Sequence, residues 1–255
     1  MNTRLPANLG PAMNVAKLRL APHVHACTTH DGMVFLDLRQ GKYFGIGSMF
    51  ASELAGLLEL WSGVHQDVTC LERCSPAAMR SISLTLVERG LLEHRTGDLF
   101  AHRSAALPIS PPLASIDQIL SESPRLLARD IRRFISASVV ATASLHCLSL
   151  ETIAKNIRRR KAQRTSPSSP QSRVRMAELA ATFRQIRSYA FSARNRCLLE
   201  SLVLTEFLAR YDEFPIWYIG VKTAPFSAHS WVQHLDLVLN GTPEQVSFFT
   251  PIVVI

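Results

Sequence analysis

Two side chains near the end of the sequence, Cys197 and His229, have the types that thiol catalysis requires. Cys197 lies near the start of residues 193–210, whose apolar spacing predicts one amphipathic helix. A cysteine in a helix's first turn faces free backbone N–H groups and the positive end of the helix dipole, which favours the thiolate. His229 begins a predicted strand, 229–234, and could accept and return the thiol's proton. The pair therefore predicts nucleophilic attack on a carbonyl, although a lone buried thiol and a structural histidine are common alternatives.

The elements before this pair divide into strands and helices. Residues 23–28, 33–38 and 42–46 predict a three-stranded antiparallel sheet, with His30, Asp31 and Gly32 in its first turn. A helix capped by Ser48 is predicted next, followed by helices at 67–73 and 76–89. Residues 91–93 and 99–102 predict a hairpin. After Pro215 the pattern becomes rich in strands and ends in a final strand near residues 248–255.

The composition of the chain indicates how it divides into segments. Residues 104–124 contain four of the 14 prolines and many serines, which is typical of a linker. We therefore predict four segments: a domain at 1–104, a linker at 105–124, a basic helical connector at 125–175 and a second domain at 176–255. The fold class expected is α+β.

The net charge of +8 is concentrated in the connector, since residues 122–196 hold 16 basic and 4 acidic side chains. Residues 1–121 hold ten of each, so the first domain lacks the positive surface that nucleic-acid binding requires. The basic run at 158–164 is most simply a solvated helix end, and contact with an acidic peptide, a partner or lipid is left open. The apolar stretch 134–150 is short for a membrane span, so we predict a buried helix.

The cysteine pattern argues against disulfides and metal. Five cysteines and no secretory signal predict a reducing cytoplasm. Cys70 and Cys74 have no convincing second pair of ligands nearby, so neither metal nor another cofactor is expected.

The residues around the catalytic pair also carry a specific resemblance. They read CLLESLVL from Cys197, IGVK from Ile219 and PFSAHSWV from Pro225. This pattern resembles the lasso-peptide B proteins, transglutaminase-like or papain-like cysteine peptidases that remove the leader from a lasso precursor. The resemblance covers residues 176–255 and places the family's cysteine and histidine at Cys197 and His229.

The first third resembles a second module. Residues 34–44, VFLDLRQGKYF, are similar to the RiPP recognition element, a winged-helix-like domain that binds leader peptides and that the B proteins can carry. The resemblance implies that an extended leader adds to the edge of the third strand, at Lys42, Tyr43, Phe44 and Ile46, and lies against the helix at 76–89.

One position departs from the family. The aspartate that orients the family's histidine is replaced by Gly241. If Leu235 and Asp236 form a two-residue turn, His229 faces Thr242 and Asn240 lies diagonally on the same face. Asn240 is the preferred third catalytic residue, Asp236 is the alternative, and orientation by the backbone or water stays open.

The sequence therefore predicts a protease that matures lasso peptides by thiol catalysis, with the precursor's leader and a macrolactam-forming cyclase as partners. No nucleic-acid partner is expected, and membrane contact is left open. Two alternatives remain. One is a leader-binding protein that delivers the precursor without cutting it, and the other is an acyl transferase that uses the same thioester.

Overall fold

The structure is a computed structural model that describes residues 18–57, 75–94, 110–120, 124–163, 170–190 and 196–255. The predicted helix at 67–73, the predicted strand at 99–102, and Cys70 and Cys74 lie outside these residues. The described part is a mixed α+β fold, as the sequence predicted.

The N-terminal sheet consists of β2 (Val24–Thr29), β3 (Gly32–Asp37) and β4 (Lys42–Gly47), in that order and antiparallel. The predicted three strands are thus confirmed. Gly32 permits the first turn, because it adopts φ +148° and a Cβ there would lie 2.0 Å from the carbonyl oxygen of Ile46. Among the described residues β4 pairs only with β3, so within that part of the chain its other edge is open.

Among the described residues, two helices cover one face of this sheet. They are α1 (Ser48–Leu57) and α2 (Pro76–Glu88). Helix α2 starts as the sequence predicted: the Ser75 hydroxyl accepts from the N–H of Ala78 at 3.2 Å, and Pro76 occupies the first turn. The strand predicted at 91–93 forms as β5 (Leu92–His94), and it pairs with β1 (Leu18–Leu20), a partner that the sequence did not indicate.

The C-terminal sheet has five strands in the order β10–β7–β8–β9–β6. Their bounds are β6 (Ala114–Ser115), β7 (Ile216–Thr223), β8 (Phe226–His234), β9 (Leu237–Val238) and β10 (Thr250–Val254). Strand β10 confirms the predicted final strand. Strand β6 lies within the predicted linker, where it pairs in parallel with β9 and leads into a 3₁₀ turn, Ile116–Gln118. This part of the predicted linker therefore belongs to the sheet.

Five helices accompany the sheet: α3 (Ala128–Cys147), α4 (Leu150–Ala162), α5 (Pro170–Ala190), α6 (Cys197–Ala209) and α7 (Pro243–Ser247). Helix α6 is buried on every side from Ser201 to Leu208. The amphipathic pattern predicted for this segment was therefore wrong, because the helix lies in the centre of the fold and has no solvent face over those turns.

Helix α3 is the helix predicted at 134–150. It buries Phe134, Ala137 and Ala141, while Ile135 and Val139 stay exposed on another face. Burial is therefore confined to one side. Within the described residues, none of the helices combines the length and the apolarity that crossing a membrane would need.

The two sheets share one hydrophobic core. Alternate residues of β3 point to opposite sides: Met33 and Phe35 pack with α1 and α2, whereas Val34 and Leu36 pack with residues of α3 to α6 and the C-terminal sheet. Polar contacts also cross this junction. The N–H of Glu151 donates to the carbonyl of Leu38 at 3.0 Å, and Arg39 pairs with the Glu151 carboxylate at 2.8 Å. The N-terminal sheet is therefore packed directly against the C-terminal half.

Candidate active site

Cys197 is the first residue of α6, and its side chain is half-buried. This position leaves the thiol beside the first-turn N–H groups, which have no partner within the helix. Cys197 thus stands in the first turn of a helix, the position that the sequence predicted for it.

His229 lies in the middle of β8, directly opposite Gly220 on β7. Its imidazole ring stacks on Trp231, with centroids 6.1 Å apart, and contacts Phe249 at 5.2 Å. Burial among these rings lowers the pKa of His229 below its usual 6.5. The imidazole is thus neutral at pH 7, the form that a general base requires.

Gly220 leaves the space that Trp231 and Phe249 occupy beside His229. A Cβ at Gly220 would lie 2.7 Å from Cζ3 of Trp231 and 3.0 Å from Cβ of Phe249. Any larger residue would have to displace the two rings that flank His229. The glycine in the IGVK segment therefore has a packing role beside the histidine.

A buried polar cluster joins the helix of Cys197 to the strand of His229. The hydroxyls of Ser201, one turn after Cys197, and of Ser230 lie 2.7 Å apart. Trp217 donates its indole N–H to Ser201 at 2.9 Å, and Ser230 donates to the carbonyl of Tyr218 at 2.8 Å. These bonds fix the spacing of α6, β7 and β8 next to Cys197 and His229.

Cys197 and His229 line one cavity of about 320 Å³. Its walls come from the 3₁₀ turn, α5, α6, β8 and the segment from β9 to α7. The other lining residues are Ser115, Ile116, Asp117, Phe183, Arg184, Arg187, Glu200, Leu239, Asn240, Gly241, Thr242 and Gln245. The structure therefore brings the predicted nucleophile and the predicted base to the same site.

Two ion pairs line the cavity beside Cys197 and His229. Arg184 binds both carboxylate oxygens of Asp117, at 2.6 and 2.9 Å, and Arg187 pairs with Glu200 at 2.7 Å. Burial raises the pKa of Glu200, against the opposing effect of Arg187. The Nε atom of Arg187 is buried without a hydrogen-bond partner among the described residues.

The chain matches the family model described as "Transglutaminase-like superfamily" over residues 125–254. This match spans just over half of the chain and includes both Cys197 and His229. The chain belongs to the transglutaminase-like superfamily. Domains of this superfamily are often cysteine peptidases or transferases, which supports an enzyme in general. The match begins before residue 176, so it also includes the predicted connector. No curated protein and no solved structure matches the chain significantly.

The structure places the two candidates for the third catalytic residue differently. The turn at Leu235 and Asp236 has the predicted register, because Gln233 pairs with Val238 and His234 with Leu237. The predicted pairing of His229 with Thr242 is wrong, because β9 ends at Val238 and Thr242 caps α7. Asn240 lies in the cavity, and its carbonyl oxygen accepts from the N–H of Val232 at 2.7 Å.

Asp236 is held outside the cavity, where it pairs with Arg173 at 2.9 Å. Nε2 of His229 is buried and has no hydrogen-bond partner among the described residues. Cys197 and His229 therefore share one cavity, and catalytic roles for these two residues and for Asn240 stay predictions.

The predicted leader-binding residues all lie on the open edge strand β4. Lys42 is exposed, while Tyr43, Phe44 and Ile46 are half-buried. Phe44 and Ile46 pack towards α1 and α2, and the guanidinium of Arg89, at the end of α2, lies 5.5 Å from the centre of the Phe44 ring. Tyr43 points to the other side, where its ring contacts Phe226 at 5.5 Å.

The charged residues that line the cavity were not predicted from the sequence. Asp117 and Arg184 are separated by 67 residues, and nothing local to either one indicates the pairing. The place of Glu200 near Cys197 could have been predicted, since it lies three residues after Cys197 and so on the same side of one helix. Among the described residues, no group of three potential ligands is placed to hold a metal ion.

Proposed function

We propose that this protein is a leader peptidase of lasso-peptide maturation, which acts in the cytoplasm by Cys-His catalysis. The observation that carries the proposal is the meeting of Cys197, at the start of α6, and His229, on β8, in one cavity. The resemblance of the flanking segments to the lasso-peptide B proteins supplies the substrate class. Membership of the transglutaminase-like superfamily supports the chemistry at the coarser level.

The reaction follows from the protonation states of the pair. Neutral His229 takes the proton of Cys197, and the thiolate attacks the carbonyl carbon at the end of the leader. His229 then protonates the departing amine, which releases the core peptide and leaves the leader bound to sulfur as a thioester. Water, deprotonated by His229, hydrolyses the thioester and restores the thiol. The free first-turn N–H groups of α6 are suited to stabilise the oxyanion in both steps.

The N-terminal sheet supports capture of an extended leader. Within the described residues, the outer edge of β4 has no strand partner and so offers its main-chain groups to a peptide strand. The half-buried Phe44 and Ile46, beside Arg89, offer contacts to the side chains of that peptide. The core peptide, with its free amine, would then pass to a macrolactam-forming cyclase.

A delivery protein that binds the precursor without cutting it is the second candidate. It is favoured by one observation: Gly241 stands where the family has its aspartate, and no carboxylate of the described residues bonds His229. An acyl transferase is a third outcome, because an amine could replace water at the thioester.

Incubation with a lasso precursor peptide, followed by mass spectrometry, separates the three functions. We expect free leader acid and core peptide from the wild-type protein, and a loss of about 10³-fold or more in rate for Cys197→Ala. Cys147→Ala is the matched control, since Cys147 is exposed on α3, away from the cavity.

Two results would contradict hydrolysis by Cys197. Cleavage that survives Cys197→Ala would exclude this nucleophile. Tight binding of the precursor without any cleavage would support the delivery protein, and a leader joined to an added amine would support the acyl transferase.

A further inference from the structure

Helix α3 carries a line of exposed aliphatic side chains on a different face from the one that it buries. The buried face holds Phe134, Ala137 and Ala141, whereas the exposed line recurs at every fourth residue. Each residue of this line is between 44% and 63% exposed, and the line is about 18 Å long at 1.5 Å per residue. We call it the apolar row, and its members are Leu127, Ile131, Ile135 and Val139. A continuous apolar surface of this kind marks a contact with another surface.

Arginines flank the apolar row near its N-terminal end. Arg125, Arg129 and Arg132 are exposed, and no carboxylate of the described residues pairs with Arg125 or Arg132. Asp130 is the only acidic residue of α3 and it is buried, where the hydroxyl of Tyr211 donates to it at 2.6 Å. The exposed face of α3 is therefore positive and presents no acidic side chain.

The shape and the charge of this face favour a lipid surface over a folded protein. The face is convex, because the apolar row projects from a single helix, and none of its residues lines the cavity of Cys197 and His229. A bilayer surface adapts to a convex helix, whereas a folded partner needs a complementary groove. Positive charge without acidic neighbours on the same helix is complementary to anionic headgroups. Arginine stems can also follow apolar side chains while the guanidinium groups stay at the phosphates.

We propose that α3 is a membrane-surface contact, which places the apolar row at the boundary of the acyl chains of an anionic bilayer. Arg125, Arg129 and Arg132 then bind the phosphate groups, and the helix lies along the surface. This contact is additional to the proposed peptidase function and does not depend on it. It would hold the protein, with its cavity, at a membrane surface.

Flotation of the purified full-length protein with lipid vesicles tests the contact. Vesicles rich in phosphatidylglycerol are compared with vesicles of pure phosphatidylcholine, each over a series of salt concentrations. We expect binding to the anionic vesicles alone, and we expect it to weaken as salt screens the arginines.

Two double variants separate the apolar contribution from the basic one. Ile135→Ser with Val139→Ser removes the apolar contact, and Arg125→Gln with Arg132→Gln removes two positive charges that have no partner among the described residues. Each double variant should lower the partition coefficient about tenfold or more. All four side chains are exposed, so we expect the melting temperature, followed by circular dichroism, to stay close to that of the wild type.

Helix α2 offers the matched control. Arg80 and Leu84 are both exposed there, one turn apart, so Arg80→Gln with Leu84→Ser removes a basic and an apolar side chain from a different surface. This variant should bind the anionic vesicles as the wild type does.

The depth of the contact is measured with tryptophan at the apolar row. Quenching by brominated lipid requires contact with the acyl chains, so Ile135→Trp should be quenched beyond the wild-type background. Leu84→Trp, on α2, should show the background alone.

Four results would overturn the proposal: no binding to anionic vesicles, equal binding to neutral vesicles, binding that both α3 double variants retain, or no added quenching of Ile135→Trp. A wild-type dimer in light scattering that becomes monomeric in Ile135→Ser with Val139→Ser would also overturn it, because a second copy would then cover the face. Leader cleavage without vesicles should be unchanged in the α3 variants. The failure of the membrane contact is thus distinguishable from the failure of the proposed function.

Discussion

At the residue scale, the proposed catalytic pair depends on a neutral histidine that has no carboxylate partner among the described residues. Burial beside Trp231 and Phe249 lowers the pKa of His229, so protonation of the free base occurs below pH 6.5. The acid limb of kcat/KM therefore lies below that pH. In a Cys-His-Asp site the carboxylate would oppose this effect by favouring the imidazolium.

Gly241→Asp tests this account of the histidine. A Cβ at Gly241 would lie 3.3 Å from Oε1 of Gln245, the end of a flexible side chain, so the cavity can accept a substituent there. We expect the added carboxylate to raise the pKa of His229 and to move the acid limb of kcat/KM to higher pH by about one unit.

Asn240→Asp is the comparison, since it introduces the same charge at the neighbouring position. The side chain of Asn240 already accepts a hydrogen bond from the N–H of Val232. The carboxylate that the substitution introduces would be held by the same hydrogen bond. An unchanged acid limb in Gly241→Asp would show that the glycine does not occupy the aspartate's place in space.

At the element scale, the sequence predicted most strands and helices because their signals are local. Alternating apolar residues and a glycine turn specify β2 and β3, and Ser75 with Pro76 specifies the start of α2. The amphipathic face predicted for α6 was wrong, because the elements that bury its other sides are distant in sequence. Strand β6 was missed for the same reason: a proline-rich stretch forms a strand only once β9 is beside it.

Ser201→Ala tests the junction between α6 and the strands. The substitution leaves the buried indole N–H of Trp217 without an acceptor, which costs about 1–3 kcal/mol of unfolding free energy. We expect a lower melting temperature and a fall of about tenfold in kcat, because the spacing of Cys197 and His229 relaxes.

Thr205→Val provides the control for that substitution. Thr205 is also buried on α6, but its hydroxyl bonds the carbonyl of Ser201 within the same helix. Both variants lose stability, and only Ser201→Ala should lose kcat beyond what the unfolded fraction explains. Equal losses of kcat in the two variants would contradict a positioning role for the Ser201 cluster.

At the scale of the whole molecule, the junction between the two sheets contains a buried histidine. His25 on β2 donates to the backbone of Ile252 on β10, and burial, with Arg158 adding to the effect, lowers its pKa from 6.5 to about 4. As the pH falls below 6.5, His25 binds a proton in the unfolded chain. In the folded protein its lowered pKa keeps the imidazole neutral over this range. Stability is therefore present above pH 6.5 and is lost towards pH 4.

His25→Gln tests this linkage. Between pH 7 and pH 5, His25 alone removes about 2 kcal/mol from the unfolding free energy, so the variant should lose correspondingly less over that interval. Urea unfolding at the two pH values measures the difference. His30→Gln, whose side chain is 94% exposed, is the control, and a variant with the wild-type pH dependence would contradict the role of His25.

The predicted domain division at 105–124 stays a prediction. The described residues show contacts across this stretch that the sequence alone does not indicate. Composition reports the prolines and serines of that stretch. It does not report that Val34 and Leu36 of the N-terminal sheet pack with the C-terminal core, or that Ser115 and Asp117 line the cavity. These contacts depend on tertiary packing.

The most direct test of the central claim is to trap the leader on the enzyme. Rapid acid quenching of the protein with a lasso precursor, followed by intact and peptide mass spectrometry, should reveal the leader acyl group joined to Cys197 as a thioester, with core peptide already released. The adduct should accumulate in the first turnover and be absent from Cys197→Ala. An adduct on another cysteine, or leader release by Cys197→Ala at the wild-type rate, would contradict the account.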